Sequence, residues 1–426
     1  LGDVYKRQVT LSRIDGVLAF EGQPLDNLAE TFGTPSYIYS AQTITSNYQA
    51  FEHAFKELDP MICYAVKANA NLSILAKLAS LGSGFDIVSG GELARVKQAG
   101  GSPKHVVFSG VGKTADEIRN ALIEGIHCFN VESEAELSLL ASIAESLGVT
   151  APVSIRVNPD VDPKTHPYIA TGLLEAKFGL SMKTALDLYR EGHQHPHLNM
   201  TGIDCHIGSQ ITDIEPFKEA ASRLLDLTDA LSGEGIQLRH IDLGGGIGIQ
   251  YQEEELIDLQ ALAQWLKPLL DQRALQLILE PGRSIVADAG LLLTRVLHTK
   301  VAERKHFCVV DAAMNDLLRP SLYGAWQRIE TVEPNKLDAP EIRYDVVGPI
   351  CETGDFLGKD RPLVTEPGHH LAILDAGAYG FGMGSNYNTR PRGCEVLIEE
   401  GTARVIRRRE SLDDLLAHEL DGLKSS

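Results

Sequence analysis

From residue 60 to residue 290 the chain alternates two patterns. Short apolar, β-branched runs give way to longer stretches whose apolar positions recur every three or four residues. The short runs predict strands over 61–68, 84–89, 105–109, 127–131, 153–158, 202–207, 238–243 and 275–279. The longer stretches predict helices, as in Leu72-x-x-Leu75-x-x-Leu78 and Thr114-x-x-Glu117-x-x-x-Ala121-Leu122, with Asn71 and Thr114 as their capping residues. Strands that alternate with helices pair in parallel through right-handed crossovers, and eight such units in about 230 residues is the number that closes a (β/α)8 TIM barrel. A doubly wound open sheet is the alternative, and the count favours the barrel.

After Gly290 the pattern changes. Strands are predicted over 291–301, 306–310, 344–347, 370–374, 396–398 and 403–406, without regular helices between them. Gly348-Pro349, Glu366-Pro367-Gly368 and the glycines of 380–384 punctuate this stretch, which reads as a mainly antiparallel C-terminal β domain. The expected division is an N-terminal segment over 1–35, whose strand at 17–20 pairs with the β domain, a barrel over 36–290, and the β domain over 291–426. The polar tail after Leu420 is expected to fray. Residues 1–8, which open on Leu1, are set aside as a candidate non-native lead-in.

Composition narrows the function. Hydrophobic residues make up 43% of the 426 and charged residues 23%, as in globular proteins. Lysine and arginine total 39 against 58 aspartates and glutamates, a net charge of −19 that disfavours nucleic acid and anionic membrane as partners. No apolar run approaches the ~18 residues of a membrane span. Six scattered cysteines without a C-x-x-C pair suit reduced thiols in a cytoplasmic protein, not a disulfide framework or a structural zinc site.

Polar residues fall at one end of the predicted barrel, the C-terminal strand ends where such barrels carry active sites. Lys67 ends the first strand, and Asp86 and Ser89 close the second. Ser109 ends the third, Glu132 follows the fourth, and Arg156 and Asn158 lie on the fifth. His206 is on the sixth, the glycines 244–246 follow the seventh, and Glu280-Pro-Gly-Arg283 follows the eighth. One polar residue in a core strand is unremarkable, but such groups on all eight strand ends point to an enzyme. Each still carries two readings. Lys67 is a snorkelling lysine, or a desolvated amine able to form a Schiff base with a carbonyl. His206 is a core histidine, or a ring stacked on an aromatic cofactor. The glycines are a tight turn, or a backbone approach to a phosphate. Glu280 and Arg283 are a salt bridge, or partners of a protonated ring nitrogen and an anionic substrate group.

Two motifs fail. Gly112-Lys113-Thr114 resembles the end of a P-loop, but Val107 holds the place of its first glycine, and 244–249 closes on Ile249 where G-x-G-x-x-G needs glycine. His193-x-His195-x-His197 reads as a solvated loop, since no carboxylate or cysteine accompanies it, so no metal is assigned.

A series of ordered motifs carries a resemblance. These are Tyr64-Ala-Val-Lys-Ala-Asn69, Phe85-Asp-Ile-Val-Ser-Gly-Gly-Glu-Leu93, His166-Pro-Tyr-Ile-Ala-Thr-Gly172, Lys177-Phe-Gly179, Cys205-His-Ile-Gly-Ser-Gln210, Asp242-Leu-Gly-Gly-Gly246, Glu280-Pro-Gly-Arg283, Arg319-Pro-Ser-Leu-Tyr323, Gly348-Pro-Ile-Cys-Glu352 and Ala378-Tyr-Gly380. With them the chain resembles the diaminopimelate decarboxylases, within the alanine-racemase-like, fold type III pyridoxal-phosphate enzymes, from about Gly16 to Leu420. The resemblance implies a head-to-tail homodimer whose shared active sites use pyridoxal 5′-phosphate. It makes Lys67, Cys351, His206 and Glu280 catalytic. Lys67 would hold the cofactor covalently, His206 would stack on its ring, Glu280 would keep its pyridine nitrogen protonated, and Cys351, from the second subunit, would reprotonate Cα. Ser209, Gly245, Gly246 and Gly282 would bind the phosphate with Tyr379 closing over it, and Asp86, Arg156 and Arg283 would complete the cofactor site. Arg283, Arg319 and Tyr323 would clamp a distal carboxylate, with Tyr379 also at the substrate, and Glu352 would take the distal ammonium. The implied reaction is decarboxylation of meso-2,6-diaminopimelate to L-lysine, the last step of lysine synthesis. A same-fold decarboxylase for ornithine, arginine or carboxynorspermidine is the alternative, as is a catalytically dead binding homologue. An alanine racemase would need a tyrosine as second base and has no use for the pair at 351–352. Thr353 and Ala170 stand where serine is more usual, and neither touches an implied role.

Overall fold

The computed structural model describes residues 11–162, 177–334 and 340–424. The motif at 166–172 and the lead-in at 1–8 therefore lie outside the described residues. The chain divides into two compact units, Thr45–Ile285 and the combination of Leu1–Ile44 with Val286–Ser426.

Thr45–Ile285 is a closed barrel of eight parallel strands: Met61–Ala65, Gly84–Ile87, Val106–Phe108, Cys128–Val131, Ala151–Arg156, Leu198–Asp204, His240–Asp242 and Gln276–Leu279. All eight were legible as strands. The last pairs back onto the first through Ile278 with Met61 and Leu279 with Ile62. The helices between them bury one apolar stripe each. Leu72–Ser80, for example, buries Ile74, Leu75 and Leu78, and Asn71 caps it by accepting Ser73 N–H. Ala115–Glu124 opens on a full capping box, in which Thr114 accepts Glu117 N–H and the Glu117 carboxylate accepts Thr114 N–H. Glu117 also takes Gly90 N–H at 2.8 Å, and these backbone donors hold its carboxyl below the usual range. Thr114→Ala removes one acceptor and is expected to cost about 1 kcal/mol, read as a lower denaturation midpoint with unchanged slope.

Alternate residues on a barrel strand face the lumen. Cys63, Val107, Cys128 and Ile278 pack there into one apolar cluster joined by Met61. Two residues further along the same strands stand Ala65, Ser109, Asn130 and Glu280, so the lumen turns from apolar to polar as it approaches the C-terminal strand ends. Gly202 is small for a clear reason: a Cβ there would lie 1.8 Å from His240 Nε2.

The other unit is built on a nine-stranded mixed sheet, mostly antiparallel. Its main path runs Phe356–Leu363, Ile342–Val347, Lys305–Val310, Gly290–Ala302, Ser36–Ser40, Cys394–Glu399 and Thr402–Arg407. His370–Ile373 also pairs with Gly290–Ala302 and carries Ile329–Thr331. The pairs of Lys305–Val310 with Ile342–Val347 and of Ser36–Ser40 with Cys394–Glu399 are parallel. The N-terminal strand inserted into this sheet is thus Ser36–Ser40. Val17–Phe20 instead pairs with Leu11–Ile14 and Gln23–Pro24 in a small sheet of three, and meets the β domain of the same unit through Leu18 N–H donating to Val332 O at 2.8 Å. The tail expected to fray after Leu420 is helical, in Leu412–Lys424. Among the described residues no helix is long and apolar enough to cross a membrane.

Candidate active site

In the barrel unit Lys67 sits on a single 3-10 turn, Val66–Ala68, directly after the first strand. Its Nζ lies 2.5 Å from Oδ2 of the buried Asp86, which closes the second strand. His206 follows the sixth strand, and its Nδ1 accepts the Gly245 N–H at 3.1 Å, which leaves Nε2 to carry the ring proton. Burial, with Arg156 and Lys67 nearby, holds His206 well below the usual histidine range, so the ring is neutral.

The glycine loop fits around this histidine because it has no side chains. Gly244 and Gly246 have φ of 66° and 96°. A Cβ on Gly245 would stand 2.1 Å from Glu280 O, and one on Gly246 would stand 2.3 Å from Gly208 O. Gly282 is tight as well, 3.0 Å from the Cβ atoms of Ala65 and Ala68. Backbone therefore lines this side of the barrel mouth. Gly246→Ala combines positive φ with a backbone clash and is expected to cost ~1–3 kcal/mol, measured as a drop in Tm.

Below the loop lies a buried acidic centre. Asp86, Asp204, Asp242 and Glu280 are all buried, and single carboxylate oxygens of Asp204, Asp242 and Glu280 lie within 4.8 Å of one another. Burial, reinforced by neighbouring acids, pushes Asp204 and Glu280 well above the usual carboxylate range. Burial, with the charge of Asp86, lifts Asp242 to about 7 against the lowering pull of Gly244 N–H. Arg156 lies 3.1 Å from Glu132 and 3.9 Å from Asp204, with its guanidinium over the Phe178 ring. Glu132 in turn accepts Gly110 N–H at 2.9 Å and Gly179 N–H at 3.0 Å, so it ties two loops to the end of the fourth strand. Arg283 reaches Ser209 Oγ at 2.9 Å and Tyr251 Oη at 2.8 Å.

The remaining candidates lie in the other unit. Arg319 is buried at the start of the short helix Arg319–Tyr323. Tyr379 takes φ of 54° in the turn that follows His370–Ile373. Cys351 and Glu352 are exposed, and the segment around 387–388 holds both. Asn388 Oδ1 accepts Cys351 N–H at 3.2 Å, and Tyr387 Oη donates to Glu352 Oε1 at 2.7 Å.

Sequence reasoning gave no role to Asp204, Asp242, Tyr251, Tyr387 or Asn388. For the two aspartates the signal was present. Each ends an apolar run, Gly-Ile-Asp204 and His-Ile-Asp242, in the way that singled out Asp86. Of the histidines at 193–197, His195 Nδ1 accepts His197 N–H at 3.2 Å and His197 Nδ1 lies 2.9 Å from Val149 O. A different group, His127, Cys128 and His240, clusters near the N-terminal strand ends. A cavity of about 610 Å³ at that end, lined by Met61, Gly84, His127 and Gln276 among others, contains none of the proposed site residues.

Residues 41–287 match the family model of the pyridoxal-dependent decarboxylase, pyridoxal binding domain. Diaminopimelate decarboxylase of Neisseria meningitidis is 57% identical over 400 residues, covering 94% of this chain and 98% of the relative. The enzyme of the same name from Pseudomonas aeruginosa is 54% identical over 96% of this chain and 98% of its own. Among solved structures, Helicobacter pylori diaminopimelate decarboxylase complexed with L-lysine superposes with a TM-score of 0.90 at 46% identity, over 93% of this chain and all (100%) of that one. Sequence and fold thus agree across nearly the full length, and the chain belongs to the diaminopimelate decarboxylase family of pyridoxal-dependent decarboxylases.

Proposed function

We propose that the protein decarboxylates meso-2,6-diaminopimelate to L-lysine and CO2 with pyridoxal 5′-phosphate, as a cytoplasmic homodimer. The observation that carries this reading is the ring of groups at the barrel mouth: Lys67 on Asp86, neutral His206 against the glycine loop, and Glu280 beneath. These residues fit the cofactor. Glycines 245, 246 and 282 stand too close to neighbouring chain for a side chain, so this side of the mouth is bare backbone, as a phosphate held by backbone requires. Five of the six free cysteines are buried as thiols, which supports a reducing compartment.

When bound, pyridoxal phosphate supplies an electron sink for the pair released as CO2 leaves Cα. The chain's own groups do the rest. Lys67 Nζ would hold the cofactor and give way to the substrate amine, with Asp86 fixing its ammonium before the cofactor binds. His206, neutral and held by Gly245 N–H, would press its face on the ring. Ser209, Gly246 and Gly282 would hold the phosphate, Gly245 adding its missing side chain, while Arg283 steadies Ser209 and Tyr379 closes over them. Arg156 would hold the cofactor site together through Glu132. Glu280 would keep a proton on the ring nitrogen. Cys351 Sγ, contributed by the second subunit, would deliver a proton to Cα. Arg319, Tyr323 and Arg283 would clamp the distal carboxylate, with Glu352 on the distal ammonium.

The test is reconstitution with pyridoxal phosphate, then CO2 and lysine release from meso-diaminopimelate with ornithine and arginine in parallel. Lysine formed from diaminopimelate alone is the expected result. A cofactor band without lysine would reassign the substrate, and no band would leave a non-catalytic homologue.

A further inference from the structure

At the N-terminal strand ends, the far end of the barrel from Lys67 and His206, three side chains bring metal-ligating atoms together. Cys128 opens the fourth strand and is wholly buried in the lumen. His127 precedes it, anchored by its N–H on Val106 O at 2.9 Å. His240 opens the seventh strand, and its ring crosses over Gly202, whose missing Cβ leaves the room. His240 Nε2 thereby comes within 3.8 Å of Cys128 Sγ, on a strand that is not its neighbour in the barrel. The two imidazole centroids stand 5.2 Å apart. One donor atom from each of the three residues lies within 4.8 Å of the other two.

Ordinary core packing explains only part of this. A weak thiol contact suits Cys128 and His240. It leaves out His127, whose Nε2 is buried and has no hydrogen-bond partner among the described residues. Burial pushes His240 down to about 3 and lowers His127 as well, so both rings are neutral and each offers a nitrogen lone pair. Two imidazoles and a thiol are a donor set that suits zinc. On a tetrahedral zinc ion, bonds of about 2.3 Å to sulfur and 2.0 Å to nitrogen hold those two atoms about 3.5 Å apart. The pair Cys128–His240 is already near that spacing, and a small rotation of His127 completes the set.

We propose that His127, Cys128 and His240 bind one zinc ion, with water as the fourth ligand, and that the ion ties the fourth strand to the seventh across the base of the lumen. As zinc binds, the S–H bond of Cys128 breaks, its proton passes to water, and the sulfur electron pair makes the Zn–S bond. Both rings enter neutral, so one proton leaves for each ion bound. The cavity of about 610 Å³ at this end, which His127 lines together with Glu52, Asp59 and His105, gives the ion a way in and supplies the water. None of the three ligands belongs to the site proposed for the cofactor, and the inference stands whether or not the proposed function does.

The test uses the purified full chain carrying Cys351→Ser, so that the one exposed thiol does not compete for metal. The protein is stripped with a chelator, equilibrated with Zn²⁺ and freed of excess metal by gel filtration. About one zinc per chain is expected to remain, with a raised Tm, and Cys128→Ser and His240→Gln are each expected to lose both the ion and the rise. Co²⁺ in place of Zn²⁺ is expected to give the strong red-region absorption of a tetrahedral ion, at wavelengths where pyridoxal phosphate is transparent. No retained zinc, or zinc retained equally by both variants, overturns the proposal. If the variants do not fold, the cobalt spectrum decides, and the weak bands of an octahedral ion would overturn it.

Discussion

Lys67→Ala is expected to reduce lysine formation from meso-diaminopimelate to background, a loss on the order of 10⁴-fold or more, the scale on which covalent catalytic groups act. The amine is the group that the cofactor's carbonyl needs, and the fold invests in its placement. A one-turn 3-10 segment lifts Lys67 off the first strand, and Asp86, wholly buried, fixes its Nζ at 2.5 Å. Removing the amine leaves the buried Asp86 carboxyl without its cation, so the variant should also lose stability by a few kcal/mol. The visible absorbance that the cofactor gains on joining a lysine amine should vanish, even if the phosphate still binds the glycine cradle. Retained turnover would overturn the proposed mechanism, and retained folding by circular dichroism makes the result interpretable.

Arg319→Ala is expected to raise KM for meso-diaminopimelate about 30- to 150-fold, equivalent to ~2–3 kcal/mol, with a smaller change in kcat. Arg319 is buried at the head of its short helix, so truncation leaves a carboxylate of the substrate facing a partly desolvated gap. L-lysine keeps the carboxylate that Arg319 is proposed to hold, since only the other end of the substrate is lost as CO2. Its inhibition constant should therefore rise in parallel with KM. An unchanged KM would remove Arg319 from the clamp and reopen the choice of substrate.

Legibility followed pattern strength. The barrel strands were readable because each is an apolar run set off by a helical pattern of different period, and because most carry a polar residue at the same end. Phe356–Leu363 escaped notice because its middle reads Gly-Lys-Asp-Arg-Pro, which suggests a loop. It tolerates that composition, Pro362 included, because it is the outermost strand of its sheet. Ser36–Ser40 is a short run buried at every position, but it stands before the first barrel strand, and sequence order assigned it to the wrong unit. In the barrel, spacing located Lys67, Asp86, His206 and Glu280, but it did not show which acids meet. Asp204 and Asp242 lie 38 residues apart in the chain and are brought together by the register of two neighbouring parallel strands. The support that Asn388 and Tyr387 give to Cys351 and Glu352 was equally hidden, since it depends on a loop fold and on no motif.

The position of Ser36–Ser40 bears on how the chain is made. Emerging early from the ribosome, it is bound to wait for Gly290–Ala302 and then for Cys394–Glu399, which flank it on either side. Its pairings span roughly 250 and 360 residues, the kind of non-local contact that slows folding and leaves strand edges open. The barrel has its full complement of strands well before then. A nascent chain released short of Cys394 would thus carry a complete barrel and a sheet lacking its last two strands, Cys394–Glu399 and Thr402–Arg407. Such truncated products should be recognised by proteases through the unfinished sheet rather than through the catalytic unit.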